Sequence, residues 1–501
     1  MKYSRKKLTK LVSILVTCLL AVSVCFILTA SATAESGVLR QFDFSTSDAF
    51  HAHKSNIVSV TFKDTIDDLS NISEELKWDV SAAGDGSVMA WIVDTSGAYE
   101  LFIGAEGGVK ANTNSSNLFN GFDALKAING LENFNTENTT NMSYMFYGCR
   151  LLKDLNLSAL NVQNVKNISS MLSADRDTQS FVNMELKTLD ITGWNTANLT
   201  DISEFLYGCT SLETLDLSAW NTKKLEKMNL AFANCINLKT LNISTWDLPI
   251  LAEYTESFKQ CNQLSLNAQK INLYQSSYQL FKEADMAKID ISSGKINSST
   301  MNSMFKDCRN LTEAVLNNLS TSATSTRSMF ENCTSLTSVS FENFNTEKIS
   351  DMGCMFRNCS NLISLNLSSF VLDYYDEGTS RYKQLNLESM FESCTSLREI
   401  FVREWWVVDT SRTNGHNMFY NCSSLAGVQS EISYNPSQTD DTYATVEHYL
   451  SKAPYYIDEP EEDEDDTNDN IITPSRPTFG MTFFDRIIEW FKNFFAKLFR
   501  F

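Results

Sequence analysis

A short motif, Phe-x-x-Cys, recurs along this chain and limits what it can fold into more than any other feature. Full copies lie at Phe146–Cys149, Phe232–Cys235, Phe258–Cys261, Phe305–Cys308, Phe330–Cys333, Phe356–Cys359, Phe391–Cys394 and Phe419–Cys422, and Leu206–Cys209 is a variant. Cys209, Cys235 and Cys261 are each 26 residues apart. Internal repeats of roughly 20 to 29 residues are typical of leucine-rich-repeat solenoids. We therefore expect the chain to stack many copies of one unit.

Each repeat contains two hydrophobic periods. Apolar and polar residues alternate at Leu215-Asp216-Leu217, as in a half-buried strand. Met228, Phe232 and Cys235 then fall at i, i+4 and i+7, which indicates one face of a short helix. Polar residues that suit a helix N-cap precede such pieces at Asn141, Asp201 and Asp351. The predicted fold class is an α/β solenoid, a leucine-rich-repeat stack of strand–helix units with a small β-rich N-terminal cap and a C-terminal amphipathic helix.

A large apolar residue follows many of the strands at a constant distance. These residues are Trp194, Trp220, Trp246, Phe344, Phe370 and Trp405. An aromatic row of this kind could form a platform for a ligand. Its constant register with the core leucines favours a stacked core instead.

Composition changes along the chain predict six segments. They are a signal peptide at 1–34, a β-rich N-terminal cap at 35–117, the solenoid at 118–429, a C-terminal cap at 430–457, an acidic proline-containing linker at 458–480 and an amphipathic helix at 481–501. Within the cap, Val88 to Val93 and Tyr99 to Ile103 are predicted to form a hairpin through the Asp94-Thr95-Ser96-Gly97 turn. Trp78 to Ser81 is expected to pair beside them.

The N-terminus predicts export. Residues 1–10 carry five basic side chains, an apolar run follows to about Leu28, and Ala32-Thr33-Ala34 offers small residues for cleavage. The segment could also remain as an uncleaved anchor. Loss of residues 1–34 would change the formal charge from -20 to -25. An acidic surface of this kind argues against a nucleic-acid partner.

The repeat resembles a known family. The run from Asn345 to Leu367 reads Asn-Thr-x-x-x-x-x-Met-x-x-Met-Phe-x-x-Cys-x-x-Leu-x-x-Leu-x-Leu and is similar to the repeats of BspA-like leucine-rich-repeat surface proteins of bacteria. Trp78 to Ser81 and Ile103 to Gly108 look like the segment that precedes the repeats in that family. The resemblance implies an exported or surface-attached protein that binds host matrix, other cells or an extracellular polymer. It supplies no binding residue, because the family shares no single ligand.

Residue patterns for catalysis are weak, so we expect no enzyme, no cofactor and no metal site. The one close histidine pair, His51-Ala52-His53, lacks further ligands and is explained by a surface strand. Asp190 and Asp216 come from adjacent repeats, so they could approach as paired carboxylates or simply face solvent. A secreted enzyme with a repeat tail is the most distant alternative.

The predicted binding surface is the outward face of the strands. The middle residue of each Leu-x-Leu strand points away from the core. The row includes Asp190 and Asp216 and is mostly short and polar, so it could be a solvated sheet. Its C-terminal end adds Glu399, Phe401, Arg403 and Trp406, and an aromatic beside an arginine suits a binding hot spot. An extracellular protein or polysaccharide is the expected partner.

The last 21 residues, 481–501, place apolar side chains at helical spacing. The predicted membrane-contacting residues are Phe484, Ile487, Ile488, Trp490, Phe491, Phe494, Phe495 and Leu498. Such a helix could lie on a membrane surface, associate with copies of itself or dock onto the solenoid. The first alternative would make the protein a structural component of the cell envelope.

Ten cysteines follow residue 34, and nine of them occupy the repeat position. Helical turns in neighbouring repeats would pack about 8 to 10 Å apart, too far for a disulfide. We therefore predict free, buried thiols. Cys354 lies off the Met352/Met355/Phe356 face and is expected to be the most reactive.

Overall fold

A computed structural model of the protein describes residues 35–175, 183–372, 375–376, 381–402, 411–425 and 451–452. Within these ranges the regular structure is almost all strand and turn. The only helices described are three 3-10 helices, at Ala49–His53, Glu74–Leu76 and Leu131–Asn133. No helix in the described ranges has the length and hydrophobicity that crossing a membrane would require. The predicted C-terminal helix at 481–501 lies outside the described residues.

The N-terminal part contains seven strands: β1 (Ile57–Lys63), β2 (Lys77–Asp79), β3 (Met89–Asp94), β4 (Tyr99–Gly104), β5 (Val109–Lys110), β6 (Ala127–Asn129) and β7 (Phe134–Asn135). Five of them form a sheet in the order β2-β3-β4-β1-β6. The antiparallel β3–β4 hairpin and the pairing of β2 with β3 confirm the two strand pairings predicted there. The sheet extends past residue 117, because β6 joins it.

The repeats then supply one short strand per coil, often with a second: β8 (Asp154–Asn156), β9 (Thr188–Asp190), β10 (Thr214–Asp216), β11 (Thr240–Asn242), β12 (Ser265–Asn267), β13 (Asn272–Tyr274), β14 (Lys288–Asp290), β15 (Lys295–Asn297), β16 (Glu313–Val315), β17 (Ser320–Thr321), β18 (Ser338–Ser340), β19 (Ser364–Asn366), β20 (Tyr375–Asp376), β21 (Arg381–Tyr382), β22 (Leu385–Asn386), β23 (Glu399–Val402), β24 (Thr413–Asn414) and β25 (Ser451–Lys452). Six of them form a parallel sheet in the order β10-β11-β12-β14-β16-β18. A second parallel sheet, β13-β15-β17, runs along the same coils. The described repeats therefore build a leucine-rich-repeat-like solenoid of parallel strands.

The predicted strand–helix unit is wrong, because the segments that carry Phe-x-x-Cys are turns and not helices. In a helix the Phe146 amide would donate to the Met142 carbonyl. Instead it donates to the Met171 carbonyl of the next coil at 2.9 Å. Between such bonds the chain closes tight turns, as where the Met145 amide donates to the Met142 carbonyl at 3.3 Å. The apolar spacing that resembled a helix face is instead the inward side of these turns.

We call the segment from Met142 to Cys149 and its counterparts the turn ladder. Its alternate amides donate to the next coil, as from Tyr144 to the Ser169 carbonyl at 3.0 Å and from Gly148 to the Ser173 carbonyl at 2.9 Å. Left-handed residues break any helix at two positions per coil, with φ of 57° at Tyr144 and 70° at Gly148. Asn141 does not cap a helix either, since its side-chain oxygen accepts the Ser143 amide two residues on at 3.0 Å.

The core consists of side chains stacked from coil to coil. Trp220 lies 6.3 Å from both Trp194 and Trp246, with nearly parallel rings, which confirms that the described aromatics of that row are core. The phenylalanines of the Phe-x-x-Cys motifs form a second stack. From Phe281 to Phe419, the centroids of successive rings in the described coils lie 5.1–5.9 Å apart. Adjacent coils on this side are thus closer than packed helices would be. Trp405 lies outside the described residues.

The ten described cysteines are free and buried, as predicted, but for a different reason. Each repeat cysteine donates its thiol to a backbone carbonyl of the preceding coil, as from Cys308 to Phe281 at 2.9 Å and from Cys235 to Leu206 at 3.2 Å. The spacing between helices, on which the prediction depended, does not exist here. Cys354 is 5% exposed and the other nine are 0% exposed, so it is the most accessible of the ten.

Candidate binding surfaces

The outward side of the six-stranded sheet is one candidate surface, which we call the strand face. Its middle residues are Asp216, Asn242, Asn267, Asp290, Val315 and Ser340, and none of them is buried. The strands pair in register, so that Asp216 lies beside Asn242 and Asn242 beside Asn267. Sequence reasoning missed Asn267, because Leu266 and Ala268 flank it where other strands have two large apolar residues. The outward direction predicted for the row is confirmed for Asp216, Asn242, Asp290, Val315 and Ser340.

Asp190 and Asp216 do not form a hydrogen-bonded carboxylate pair. Asp190 lies beside Asn156 and its carboxylate accepts the Thr192 amide at 3.0 Å. The Asp216 carboxylate accepts the Ser218 amide at 2.8 Å and the Asn242 side chain at 3.1 Å. Hydrogen bonds from Thr192 and Ser218 respectively lower the pKa of both carboxyls. A catalytic dyad would raise one of the two pKa values, so these groups do not have the electrostatics of general acid–base chemistry.

The C-terminal part of the predicted hot spot is described only in part. Glu399 is exposed on β23, and Phe401 is half-buried beside Asn366. Arg403 and Trp406 lie outside the described residues, as do the predicted membrane-contacting residues Phe484, Ile487, Ile488, Trp490, Phe491, Phe494, Phe495 and Leu498. The structure therefore brings Glu399 and Phe401 onto one strand, about seven coils away from Asp190 and Asp216 along the chain.

A second surface lies on the outside of the turn ladder, and sequence reasoning missed it. We call it the turn face. It comprises the first left-handed residue of each coil and the residue two positions before each repeat cysteine. Some of these side chains are exposed, such as Glu256 and Tyr420, and others are buried, such as Ser170 and Glu331. The second position holds Tyr147, Tyr207 and Tyr420 in three coils. The only sequence signal for this surface lies in the variable positions of Phe-x-x-Cys, which the sequence analysis left without a role.

The turn face contains a cavity of about 520 Å³. Its apolar lining is Tyr207, Leu230, Ala233 and Ile236, and its polar lining includes Asp175, Asn183, Glu256, Lys259 and Gln260. Gly208 forms part of the wall at a φ of 73°, and a Cβ there would lie 2.6 Å from the Ala174 side chain. Only glycine therefore allows the coils to approach this closely at that point.

Charges at the cavity are partly paired. The Lys259 ammonium contacts the Glu256 carboxylate at 2.8 Å, and both side chains are about half exposed. The hydrogen bond that the Lys259 ammonium donates to Glu256 is the largest of the effects that raise the pKa of Lys259. The Tyr147 hydroxyl donates to the Asp175 carboxylate at 3.2 Å. With two carboxylates and one ammonium, the rim carries a net negative charge.

Two side chains on the turn face stand out by their backbone conformation. The first left-handed position has φ between 53° and 60° in ten coils and is mostly serine, glutamate or asparagine. Tyr144 and Leu230 occupy it at φ of 57° and 56°. A bulky residue there costs about 1 kcal/mol or more, and neither side chain is fully buried. Such strain at a surface position is a motive to look for a function.

The histidine pair is not on a surface strand, which corrects the sequence interpretation. His51 ends up in a 3-10 helix, 5% exposed. Its ring lies 4.6 Å from the rings of Phe42 and Phe50 and 5.3 Å from that of Phe122. Burial lowers its pKa to about 4. In the described residues, His, Cys, Asp and Glu form no group of three that could hold a metal ion.

Comparison with known proteins gives one family match. A family model described as "Mycoplasma protein of unknown function, DUF285" matches residues 113–183, 177–294 and 275–386. No curated protein matches the chain. A crystal structure of a TLR13–ssRNA13 complex is 15% identical, with a TM-score of 0.25, and the match covers 63% of this chain and 60% of that chain. The structure of a Leptospira interrogans LRR protein is 16% identical, with a TM-score of 0.22, covering 50% of this chain and 79% of that one.

Proposed function

The chain belongs to the family described as "Mycoplasma protein of unknown function, DUF285", and from this premise we propose that it is a secreted or surface-attached bacterial protein that binds an extracellular partner. The partner would be a host matrix protein, another cell or a polymer. The family description names no activity, so the proposal depends on the chain's own geometry. The closer resemblance to BspA-like surface proteins is part of the same proposal.

The repeated outward position of the strand face is the main support for a binding function. The strand face repeats the same outward position over six hydrogen-bonded parallel strands, and the residues there are mostly short and polar. Stacked repeats create extended surfaces that recognise partners through many small contacts. Side chains such as Asn242 and Ser340 can donate and accept hydrogen bonds. Since Asp190 and Asp216 are held in separate local networks, binding is favoured over catalysis.

Export is supported by sequence. The basic residues 2–10 and the apolar run behind them have the order of a secretory signal. The formal charge of -20 disfavours nucleic acid as the partner. These sequence features support an extracellular location for the proposed binding event.

The test is a capture experiment with residues 35–501 immobilised and presented to purified matrix proteins, cultured host cells and a glycan panel. A strand-face variant, Asn242→Lys with Asn267→Lys and Ser340→Lys, would add three positive charges to the surface. A matched control would place three lysines on exposed positions elsewhere, at Asn161, Asn195 and Thr245. We expect capture of at least one partner and at least a tenfold weaker signal for the strand-face variant only. Equal loss in both variants would overturn the role of the strand face, and absence of any partner would overturn the function.

A further inference from the structure

We propose that the cavity on the turn face binds a segment of a neutral oligosaccharide. This inference rests on the proposed function for the existence of an extracellular partner and names its chemical class. The site is distinct from the strand face and extends from the coil of Asp175 to the coil of Gln260.

The shape of the site suits a small ligand. Ligand pockets in proteins have volumes of about 300 to 1,000 Å³, and this cavity has about 520 Å³. It spans four successive coils, because its lining comes from residues 174, 175 and 183 and from the segments 207–210, 230–236 and 256–260. Successive coils repeat along the solenoid axis, so a chain molecule could run across them with one unit near each coil.

The apolar part of the lining matches one side of a sugar ring. The C–H groups of a pyranose ring form a flat apolar patch that packs on aromatic and aliphatic surfaces. Tyr207, Leu230 and Ile236 offer such a surface, and Ile236 is 44% exposed. An isoleucine that exposed lies against little else in the protein, so a ligand that covers it would bury apolar area.

The polar part of the lining matches sugar hydroxyl groups, which both donate and accept hydrogen bonds. Asn183 and Gln260 carry amides that can do both, and Glu256 carries a carboxylate that accepts. The backbone of Gln260 is held in place, because its backbone amide donates to the Asp285 carboxylate at 3.0 Å. Amides and carboxylates around an apolar floor bind hydroxyl-rich ligands better than they bind apolar peptides.

The net charge of the cavity lining limits the class of oligosaccharide that can bind. Asp175 and Glu256 supply two negative charges at the cavity and Lys259 supplies one positive charge that is already paired with Glu256. An acidic polysaccharide would therefore meet net repulsion. A neutral sugar chain meets none, so the site favours neutral over sulfated or uronic-acid polymers.

Backbone strain provides an independent argument. Leu230 holds a left-handed φ of 56°, at a position where other coils place Ser170, Ser303 or Ser328. The position requires this conformation whatever the residue, so a leucine is disfavoured there. It is half-buried and lines the cavity. Strained residues cluster at binding sites, and a leucine that forms the floor of this site would account for the strain at Leu230.

The experiment measures binding of residues 35–501 to hexasaccharides of glucose, mannose and N-acetylglucosamine, with a hyaluronan hexasaccharide as the acidic counterpart. Titration calorimetry gives the affinity, and thermal unfolding of each variant monitors the fold. The double variant Ile236→Ser with Glu256→Gln changes two exposed side chains of the site. Ile250→Ser is the matched control, since Ile250 is 46% exposed on another side of the coil.

We expect at least one neutral hexasaccharide to bind, at least tenfold more weakly to the double variant and unchanged to Ile250→Ser. Leu230→Asn should also weaken binding tenfold while leaving the unfolding midpoint unchanged or higher, because asparagine tolerates the left-handed conformation. No binding of any neutral hexasaccharide, equal affinity of the double variant, or preference for hyaluronan would overturn the inference. If the capture experiment then still retains a protein partner, the proposed function stands and only the glycan site is lost.

Discussion

The Thr222 hydroxyl joins two neighbouring coils through the backbone of Asp247: it accepts the Asp247 amide at 2.9 Å and donates to the Asp247 carbonyl at 2.9 Å. The threonine is 3% exposed. Thr196 makes the same pair of bonds with Asn221, at 2.8 and 3.3 Å. This arrangement explains the Asn-Thr pair of the repeat. The threonine hydroxyl satisfies the Asp247 amide and carbonyl, which the bridge between Asp247 and Asn272 leaves unbonded.

Replacement of Thr222 by valine should destabilise the solenoid. Valine keeps the shape but leaves the Asp247 amide and carbonyl without their partner, which costs about 2 kcal/mol in the free energy of unfolding. Thr222→Ser keeps the hydroxyl and should lose less. Urea unfolding is the measurement, and Thr214→Val, at an exposed strand position, is the control. Equal stability of Thr222→Val and Thr214→Val would contradict the role given to this hydroxyl.

The buried thiols should make the protein sensitive to alkali. Burial raises the pKa of Cys308 from 9.0 to about 12. Between these values the unfolded chain loses the thiol proton and the folded chain keeps it, so stability falls as the pH rises. Each such thiol contributes about 1.4 kcal/mol per pH unit.

Urea unfolding of the reduced protein at pH 8, 9, 10 and 10.5 would measure this. The free energy of unfolding of Cys308→Ala should fall less steeply with pH than that of the wild type, by about 1.4 kcal/mol per pH unit. Identical slopes for the two proteins would mean that Cys308 ionises normally in the folded state.

Glu331 should be a stabilising buried charge. Its side chain is 3% exposed and contacts the Lys306 ammonium at 2.6 Å and the Arg357 guanidinium. Burial alone raises the pKa of this carboxyl, but hydrogen bonds from Lys306, Ser328 and Arg357 outweigh it and the pKa is lowered from 4.5. The ionised form therefore stabilises the fold above that pH, and the contribution is lost as the pH falls below it.

Glu331→Gln should lower the free energy of unfolding at pH 7 by about 2 kcal/mol, because it leaves two partly buried cations without their counter-charge. The difference from wild type should shrink below about pH 4. Glu342→Gln, at an exposed position, should change little at either pH. A difference that is the same at pH 7 and at low pH would show that packing, and not charge, explains the effect.

His51 should make the N-terminal part of the protein sensitive to mild acid. With its pKa lowered to about 4 by burial, it stays neutral when folded and takes up a proton only on unfolding. Stability should therefore fall from pH 6.5 downward, by about 2 kcal/mol at pH 5. His51→Phe should abolish this part of the acid response among the surrounding phenylalanines. The exposed His416→Phe is the control, and an unchanged acid response in His51→Phe would refute the explanation.

The repeat and the core could be predicted from the sequence, and the backbone of the Phe-x-x-Cys segment could not. Leu215 and Leu217 point inward from β10, and Trp220 stacks between its neighbours, because alternation and fixed register depend only on local geometry. Met142, Phe146 and Cys149 are also buried as expected. Their helix-like spacing, however, fits a row of tight turns equally well. What distinguishes the two is the partner of each amide in the next coil, and one copy of the motif does not specify it.

The strand face could be predicted from the sequence, and the cavity on the turn face could not. The outward direction of Asp216 follows from strand alternation, so the strand face could be located. Tyr207, Ile236 and Gln260 come together only because their three coils are stacked in register, and nothing in the local sequence of any of them indicates a shared cavity. His51 was misplaced because its burial depends on Phe122, which lies 71 positions further along the chain.

The turn ladder gives the solenoid a direction. At Met142, Tyr144, Phe146 and Gly148 every amide that leaves the coil points to the coil that follows, and the same holds for their counterparts. Within the ladder the two sides of a coil are therefore chemically unlike: backbone carbonyls on the side of the preceding coil accept, and backbone amides on the side of the following coil donate. A coil can be continued through the ladder only by another coil in the same orientation, because only then do its amides meet free carbonyls. Gene duplication of one 26-residue unit therefore lengthens the protein without a new interface, whereas two copies could not join through the ladder head to head.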